Sequence, residues 1–262
     1  MSSLIINKEI LITKSKIESE KSVQLLIDAG AKLIYFPTIK IMPIFNSPEL
    51  IDMRNNFDNF DFLILTSVNS AGIFNKFAVQ NNLNLSKLKV AVVGRSTFEF
   101  CKTTGINVNI LPDEFNAKGL LRKLSLINLT GKSILIPGSM ISRDELRTGL
   151  MELGANVKSV PIYNVVKNNI EELYEEINNL KKRKPDVFLF TSPSSFENYL
   201  SIAGVEHISN YFEGSLIAAI GTTTENAIRD FNLTVNIVPH IFTIEGASEA
   251  IIRFFNITAN LA

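Results

Sequence analysis

Residues 10–39, "ILITKSKIESEKSVQLLIDAGAKLIYFPTI", lie without a gap over residues 134–163, "ILIPGSMISRDELRTGLMELGANVKSVPIY", at a constant offset of 124. Gly30 falls on Gly154 and Pro37 on Pro161. Further along, "DFLILTSVNS" from Asp61 lies over "DVFLFTSPSS" from Asp186 at an offset of 125. "VAVVGRSTFEFCKTTGINVNILP" from Val90 then lies over "IAAIGTTTENAIRDFNLTVNIVP" from Ile217 at 127. An offset that drifts so little along the chain marks an internal duplication, and a duplication constrains the architecture before any element is assigned.

Each copy reads as short apolar runs ending in Gly, Ser or Thr, alternating with segments of helical period. That is the pattern of an α/β fold with parallel sheets. Strands are expected at 9–14, 62–66, 89–93, 108–111, 133–137, 157–160, 187–191, 216–220 and 235–238. The segments "LIYFPTIKIMPIF" and "VKSVPIYNVVK" mix β-branched residues with proline, which suits edge or linker strands. If both are crossings, the chain starts one domain, builds the other and returns. The expected division is 1–37 plus 169–262 as a discontinuous domain, 46–157 as an inserted one, and 38–45 with 158–168 as linker strands.

Composition narrows the function. The 26 Lys plus Arg balance 26 Asp plus Glu, so bulk charge indicates neither nucleic acid nor an anionic membrane as partner. Cys101, the single cysteine, excludes an intramolecular disulfide and any zinc cluster of several thiolates. No apolar run approaches the roughly 18 residues that span a bilayer, and the first residues do not read as an export signal. A cytoplasmic protein is expected.

Capping boxes of the form S/T-x-x-E are expected at Ser96 with Glu99, Ser142 with Glu145, Ser194 with Glu197 and Thr222 with Glu225. Gly154 is expected to end a helix whose buried face carries Leu146, Leu150 and Leu153. Strand ends and the helix starts that follow them share one edge of a parallel sheet, where ligands bind. Ser67, Gly94, Thr97, Ser192, Ser194, Gly221, Thr223 and Thr224 all map to it, and two such edges can face a common cleft. Each hydroxyl has a plain alternative as a helix cap worth about 1 kcal/mol. Three in succession at 222–224 exceed what one cap needs, so Thr222 is read as the cap and Thr223 and Thr224 as the free pair. Charge-assisted hydrogen bonds of about 1.5–3 kcal/mol, added to helix N-termini of about 0.3–1 kcal/mol, can hold a polyanion without a lysine cluster.

Other chemistry is missing. "GKS" at 131–133 precedes a strand and lacks the first glycine of a phosphate loop. His207, His240 and Cys101 lie outside any ligand or nucleophile spacing. "NNIEELYEEINNLKKRKPD" runs from acidic to basic, as the helix dipole favours, and its Tyr174 is read as a packing residue. Tyr163, in the second crossing, is open to two readings, a core ring or a phenol overhanging the cleft.

Taken in order, "ILITKS", "LILTSVNS", "FLFTSPSS", "VPIYNVV", "AAIGTTTENAI" and "VNIVP" resemble the motif series of the uroporphyrinogen-III synthase family across nearly the whole chain. The resemblance implies two similar α/β domains joined by a two-stranded linker, a monomer, and no metal or organic cofactor. It implies as substrate hydroxymethylbilane, a linear tetrapyrrole with eight carboxylates, closed to uroporphyrinogen III with inversion of the last pyrrole ring and loss of water. Tyr163 then matches the linker tyrosine, a phenol that keeps its proton at neutral pH and can donate it to the departing hydroxyl. Ser67, Gly94, Thr97, Ser192, Ser194, Gly221, Thr223 and Thr224 match substrate-positioning places, and Arg143 matches an arginine suited to a carboxylate. Lys14, Ser15, Val68, Gly138 and Thr222 depart from the family's usual residues. Two readings of other classes stand beside it: a non-catalytic two-domain module for a small anion, and a nucleotide-dependent enzyme, which needs the missing phosphate loop.

Overall fold

The computed structural model describes residues 5–141 and 144–259. The chain opens with β1 (Glu9–Ile12), α1 (Lys16–Ser19), α2 (Gln24–Asp28), β2 (Lys32–Tyr35) and β3 (Ile39–Pro43). It continues with α3 (Pro48–Asn55), β4 (Phe62–Leu65), α4 (Val68–Gln80), β5 (Lys89–Val92), α5 (Arg95–Thr103) and α6 (Ala117–Leu124). Then come β6 (Ser133–Ser139), α7 (Glu145–Glu152), β7 (Asn156–Lys167), α8 (Tyr174–Lys182), β8 (Val187–Phe190) and α9 (Pro193–Ile202). The last elements are α10 (Ile208–Tyr211), β9 (Leu216–Ala219), α11 (Thr222–Arg229) and α12 (Ile244–Ala259). Two compact units result, one holding the chain up to Lys40 and from Lys167 onward, the other Ile41–Val166.

The first unit has a four-stranded sheet of order β2-β1-β8-β9, parallel throughout. The second has order β3-β7-β6-β4-β5, with β7, β6, β4 and β5 mutually parallel. Under the repeat, β7-β6-β4-β5 is the counterpart of β2-β1-β8-β9, so both copies wind identically and β3 is an addition. The strand pleat sorts the core. In β4, Leu63 and Leu65 face one cluster and Phe62 and Ile64 the other; in β8, Phe188 and Phe190 face one and Val187 and Leu189 the other. Each sheet therefore buries both faces under helices, as its near-continuous apolar strands require.

The duplication extends to individual hydrogen bonds. Asp61 accepts from the Ser133 N–H at 2.9 Å and pairs with Lys132 at 2.8 Å; Asp186 does the same with Glu9 N–H and Lys8, both at 2.8 Å. Asn109 takes the Val90 N–H and Asn236 the Ile217 N–H through their side-chain oxygens, each at 2.8 Å. These asparagines stand in for a main-chain acceptor. The expected strands 108–111 and 235–238 are consequently only single bridges, Ala91 to Ile110 and Ala218 to Ile237. The repeat also runs past Pro112 and Pro239: Asn116 caps the Gly119 N–H and Thr243 the Gly246 N–H, at 2.8 and 3.0 Å.

The second crossing differs from expectation. The strand expected at 157–160 and the linker strand expected at 158–168 are one continuous strand ending at Lys167, and it lies inside the sheet between β3 and β6 although its proline pointed to an edge or a linker. Pro161 is tolerated because it pairs with Gly138 where the register breaks: Gly138 opposes Pro161, but Ser139 opposes Tyr163. Ile162 is the extra residue of a β-bulge, so the missing N–H falls where the ladder is already interrupted. Gly154 follows α7 with φ 85°, and its counterpart Gly30 has φ 90°, the left-handed positions that end a helix. Tyr174 does not pack as expected; it is 63% exposed, because Ile177 and Leu180 supply the buried face of α8. Among the described residues no helix is long and apolar enough to cross a membrane.

Candidate functional site

Among the helix starts at the carboxyl edges of the two sheets, α4 and α9 are counterparts, as are α5 and α11; in both units the first is closed and the second open. Ser67 ends the turn after β4 and caps α4: its Oγ accepts from the Ser70 N–H at 3.0 Å, and Ser70 Oγ accepts from the Ser67 N–H at 3.0 Å. Ser192 and Ser195 form the same reciprocal box at α9, at 3.0 and 2.9 Å. The box expected at Ser194 and Glu197 is therefore displaced by two residues; Ser194 sits in the first turn, its Oγ 3.1 Å from that of Ser192. Thr13 and Thr191 complete this hydroxyl cluster, with Thr13 Oγ1 3.2 Å from Thr191 Oγ1 and donating to Ser195 Oγ at 3.1 Å.

At α5 and α11 the N-caps are Gly94 and Gly221, and neither has a side chain to close the turn. The boxes expected at Ser96 and Thr222 do not form: both residues lie inside their helices, and Glu225 is turned to Arg229 at 2.7 Å. Thr222 is thus not the cap. Thr97 and Thr224 occupy equivalent places in the third helical position and are buried, 3% and 2% exposed. The hydroxyls presented at the surface are Ser96 in one copy and Thr222 with Thr223 in the other. Main-chain N–H groups at two unclosed helix starts, with the positive end of the dipole behind them, suit an anion. Gly221 also lies close under a neighbouring ring: a Cβ there would meet Phe242 at 3.0 Å, and that exposed ring would have to shift. Its φ of −177° is ordinary extended backbone.

Tyr163 resolves into both of its readings at once. Its ring belongs to the core of the second unit beside Leu65, Val92 and Ile162, leaving it 8% exposed. Its hydroxyl lies 3.5 Å from Ser67 Oγ, at the rim of a cavity of about 570 Å³. The bulge at Ile162 is what allows this. Successive strand residues alternate faces, yet Ile162 and Tyr163 both join the same cluster, so the extra residue turns the phenol toward α4.

The same cavity is lined by Thr66, by Gly138, Ser139 and Met140 after β6, and by Asp144 and Arg147 at the start of α7. Lys158 also lines it and is paired with Asp52. Sequence reasoning passed over Arg147 and Lys158. The repeat carried a signal for the first: at offset 124 Arg147 falls on Val23, a fully buried residue, so one copy places a cation where the other places core. Arg143 and Ser142, with the capping box expected there, lie outside the described residues.

Cys101 is buried in the core, and burial pushes its thiol up to about 11. It is a packing residue. No group of three or more His, Cys, Asp or Glu with metal-binding geometry occurs among the described residues.

Comparison with known proteins gives one answer. A family described as uroporphyrinogen-III synthase HemD matches residues 20–249. The uroporphyrinogen-III synthase of Chlorobaculum parvum is 27% identical over 250 residues, covering 93% of this chain and 98% of that protein. A putative uroporphyrinogen-III synthase of Methanocaldococcus jannaschii is 27% identical over 246 residues, covering 93% and 97%. Among solved structures, uroporphyrinogen-III synthetase from Helicobacter pylori superposes with a TM-score of 0.61 at 18% identity, over 94% of this chain and 99% of that one. A mutant uroporphyrinogen III synthase from Thermus thermophilus gives 0.57 at 16% identity, over 95% and 99%. At these identities the structures speak for the fold, and the family match over most of the chain speaks for descent.

Proposed function

Because the chain belongs to the uroporphyrinogen-III synthase family, we propose that it is a cyclising lyase that converts hydroxymethylbilane into uroporphyrinogen III. The observation that carries this reading is the family match over residues 20–249. The placement of Tyr163, whose phenol sits on the rim of a cavity 3.5 Å from Ser67 Oγ, supplies its chemistry.

The reaction is redox-neutral. The C–O bond of the terminal hydroxymethyl group breaks and the hydroxyl leaves as water; its carbon bonds to the substituted α-carbon of the last pyrrole, the bond from that α-carbon to its original bridging methylene breaks, and that methylene re-bonds at the free α-carbon with loss of its proton, so the ring closes with the last pyrrole inverted. Tyr163 donates the proton that turns hydroxide into water, and its phenolate recovers a proton when the substituted pyrrole regains aromaticity. The Ser67 hydroxyl, whose lone pair is engaged by the Ser70 N–H, still has its own proton to orient the phenol or a substrate carboxylate.

The eight carboxylates of the bilane call for many donors. Each unit offers its own: the open start of α5 at Gly94 in one, and in the other the open start of α11 at Gly221 with Thr223 and the Ser192–Ser194 pair, are proposed as substrate-binding groups. Thr97 and Thr224, buried at equivalent places, shape those turns. Arg143 is proposed as a further carboxylate partner. Holding the two reacting ends together accounts for most of the rate, since orientation contributes about 7–11 kcal/mol in favourable cases. We also propose that the protein acts as a cytoplasmic monomer.

The test is product analysis. Purified protein given fresh hydroxymethylbilane is expected to yield, after oxidation, the type III porphyrin in excess over type I. Type I alone, the product of spontaneous closure, refutes the assignment.

A further inference from the structure

We propose that Arg147 is the cation that anchors a substrate carboxylate beside Tyr163 and thereby sets the affinity for the bilane. This rests on the function proposed above and adds a residue to its site.

Three observations support it. Arg147 lines the cavity that holds Tyr163 and Ser67. Of the cationic side chains among the described residues lining that cavity, Lys158 is already neutralised by Asp52, while Arg147 has no carboxylate within ion-pair distance. Asp144, one turn before it on the same wall, is not joined to it. An arginine left unpaired at a cavity presents five donors in a planar fork that matches a carboxylate with two parallel hydrogen bonds. Third, the repeat singles the position out. The other copy has Val23, fully buried, in the place of Arg147, which is exposed. At matching places of the repeat, one copy buries an apolar residue and the other exposes a charge.

The chemistry of the fork matches an acid side chain of a pyrrole held in the cavity better than the departing hydroxyl. Tyr163 and Arg147 then divide the work. The phenol serves the bond that breaks, and the guanidinium holds the ring that carries it.

Steady-state kinetics on hydroxymethylbilane test the division. In Arg147→Ala the KM for type III formation is expected to rise about tenfold, as for one charge-assisted contact at a part-exposed site, with kcat within about twofold of the unsubstituted protein. Arg147→Lys, which keeps the charge but loses the fork, is expected to recover part of that loss. The KM of the unsubstituted protein is expected to rise with ionic strength more steeply than that of the alanine variant. Thermal unfolding of all three should coincide, since no described contact of Arg147 supports the fold. An unchanged KM in Arg147→Ala, with type III turnover intact, overturns the inference alone. If the unsubstituted protein makes only type I product, the function falls and the inference with it.

Discussion

Tyr163 joins a ring that the core requires to a hydroxyl that the core does not use. Tyr163→Phe keeps the ring among Leu65, Val92 and Ile162 and removes only the contact with Ser67. Type III formation is expected to slow by about 10²-fold in kcat, the low end for general acid catalysis, with KM and melting temperature nearly unchanged. Quantifying both isomers against time checks this, because type I from spontaneous closure should take over as the enzymatic route slows. Cys101 is the opposite case, a reactive residue type that burial silences. With its thiol pushed up to about 11, native protein at pH 8 should resist a thiol-selective reagent that labels it at once in denaturant. Rapid labelling of the folded protein contradicts the packing role.

At the level of elements, pairs of short-range devices are repeated across the two copies, and each fixes one strand or one helix start. Asp186 is an example. Burial opposes its charge, but the Lys8 ammonium and the Glu9 N–H outweigh that and hold its carboxyl below the usual range; Asp61, led by its bond to Lys132, is lowered likewise. A carboxylate depressed in the folded state stabilises fully above the unfolded value of about 4, and the contribution is lost as pH falls through the folded value. Asp186→Asn is therefore expected to cost about 1–2 kcal/mol at pH 7 after allowance for partial exposure. The gap between variant and unsubstituted protein should begin to narrow as pH falls below about 4 and close below the lowered folded value. Denaturant titrations from pH 7 downward measure both, and a gap that does not narrow below pH 4 rejects the carboxylate as its cause. The helix starts follow the same rule of pairs. The counterparts α4 and α9 are closed by Ser-x-x-Ser boxes and the counterparts α5 and α11 are left open by glycine, so the open pair has more main-chain donors to spare for a ligand.

For the whole molecule, the repeat made the winding legible from sequence, since two copies of one pattern must bury the same faces and β7-β6-β4-β5 repeats β2-β1-β8-β9. What escaped was set by residues whose effect is not local. The bulge at Ile162 depends on pairing with Gly138 and Ser139, some two dozen residues away in sequence, so nothing near Pro161 announces that the linker strand expected at 158–168 lies inside the sheet. The cap positions slipped because Ser-x-x-Glu was read as a motif, whereas the place where each strand ends decides which residue starts the helix. Arg147 went unseen because its segment was read only for the leucines it buries and the caps at its ends; only its difference from Val23 marks it. The second unit also permits a prediction of its own. It has a complete sheet covered on both faces, and the strands that carry its two ends, β3 and β7, are neighbours in that sheet, with the Ile44 N–H bonded to the Ile162 carbonyl at 2.8 Å. A fragment of residues 38–168 is expected to fold alone, with cooperative thermal unfolding. A fragment that melts without cooperativity, or fails to stay soluble, shows that this unit depends on the rest of the chain.

The pairing of β1 with β8 has a consequence in time. The edge that β1 offers to Val187–Leu189 cannot be covered until the ribosome has made the roughly 175 residues that separate Ile12 from Val187, a wait of roughly 9–35 s at about 5–20 residues per second. During that interval β1 and β2 form an incomplete, apolar parallel pair while the inserted unit can finish folding. The nascent chain must keep that pair from aggregating, and the first unit closes only as the last third of the chain emerges.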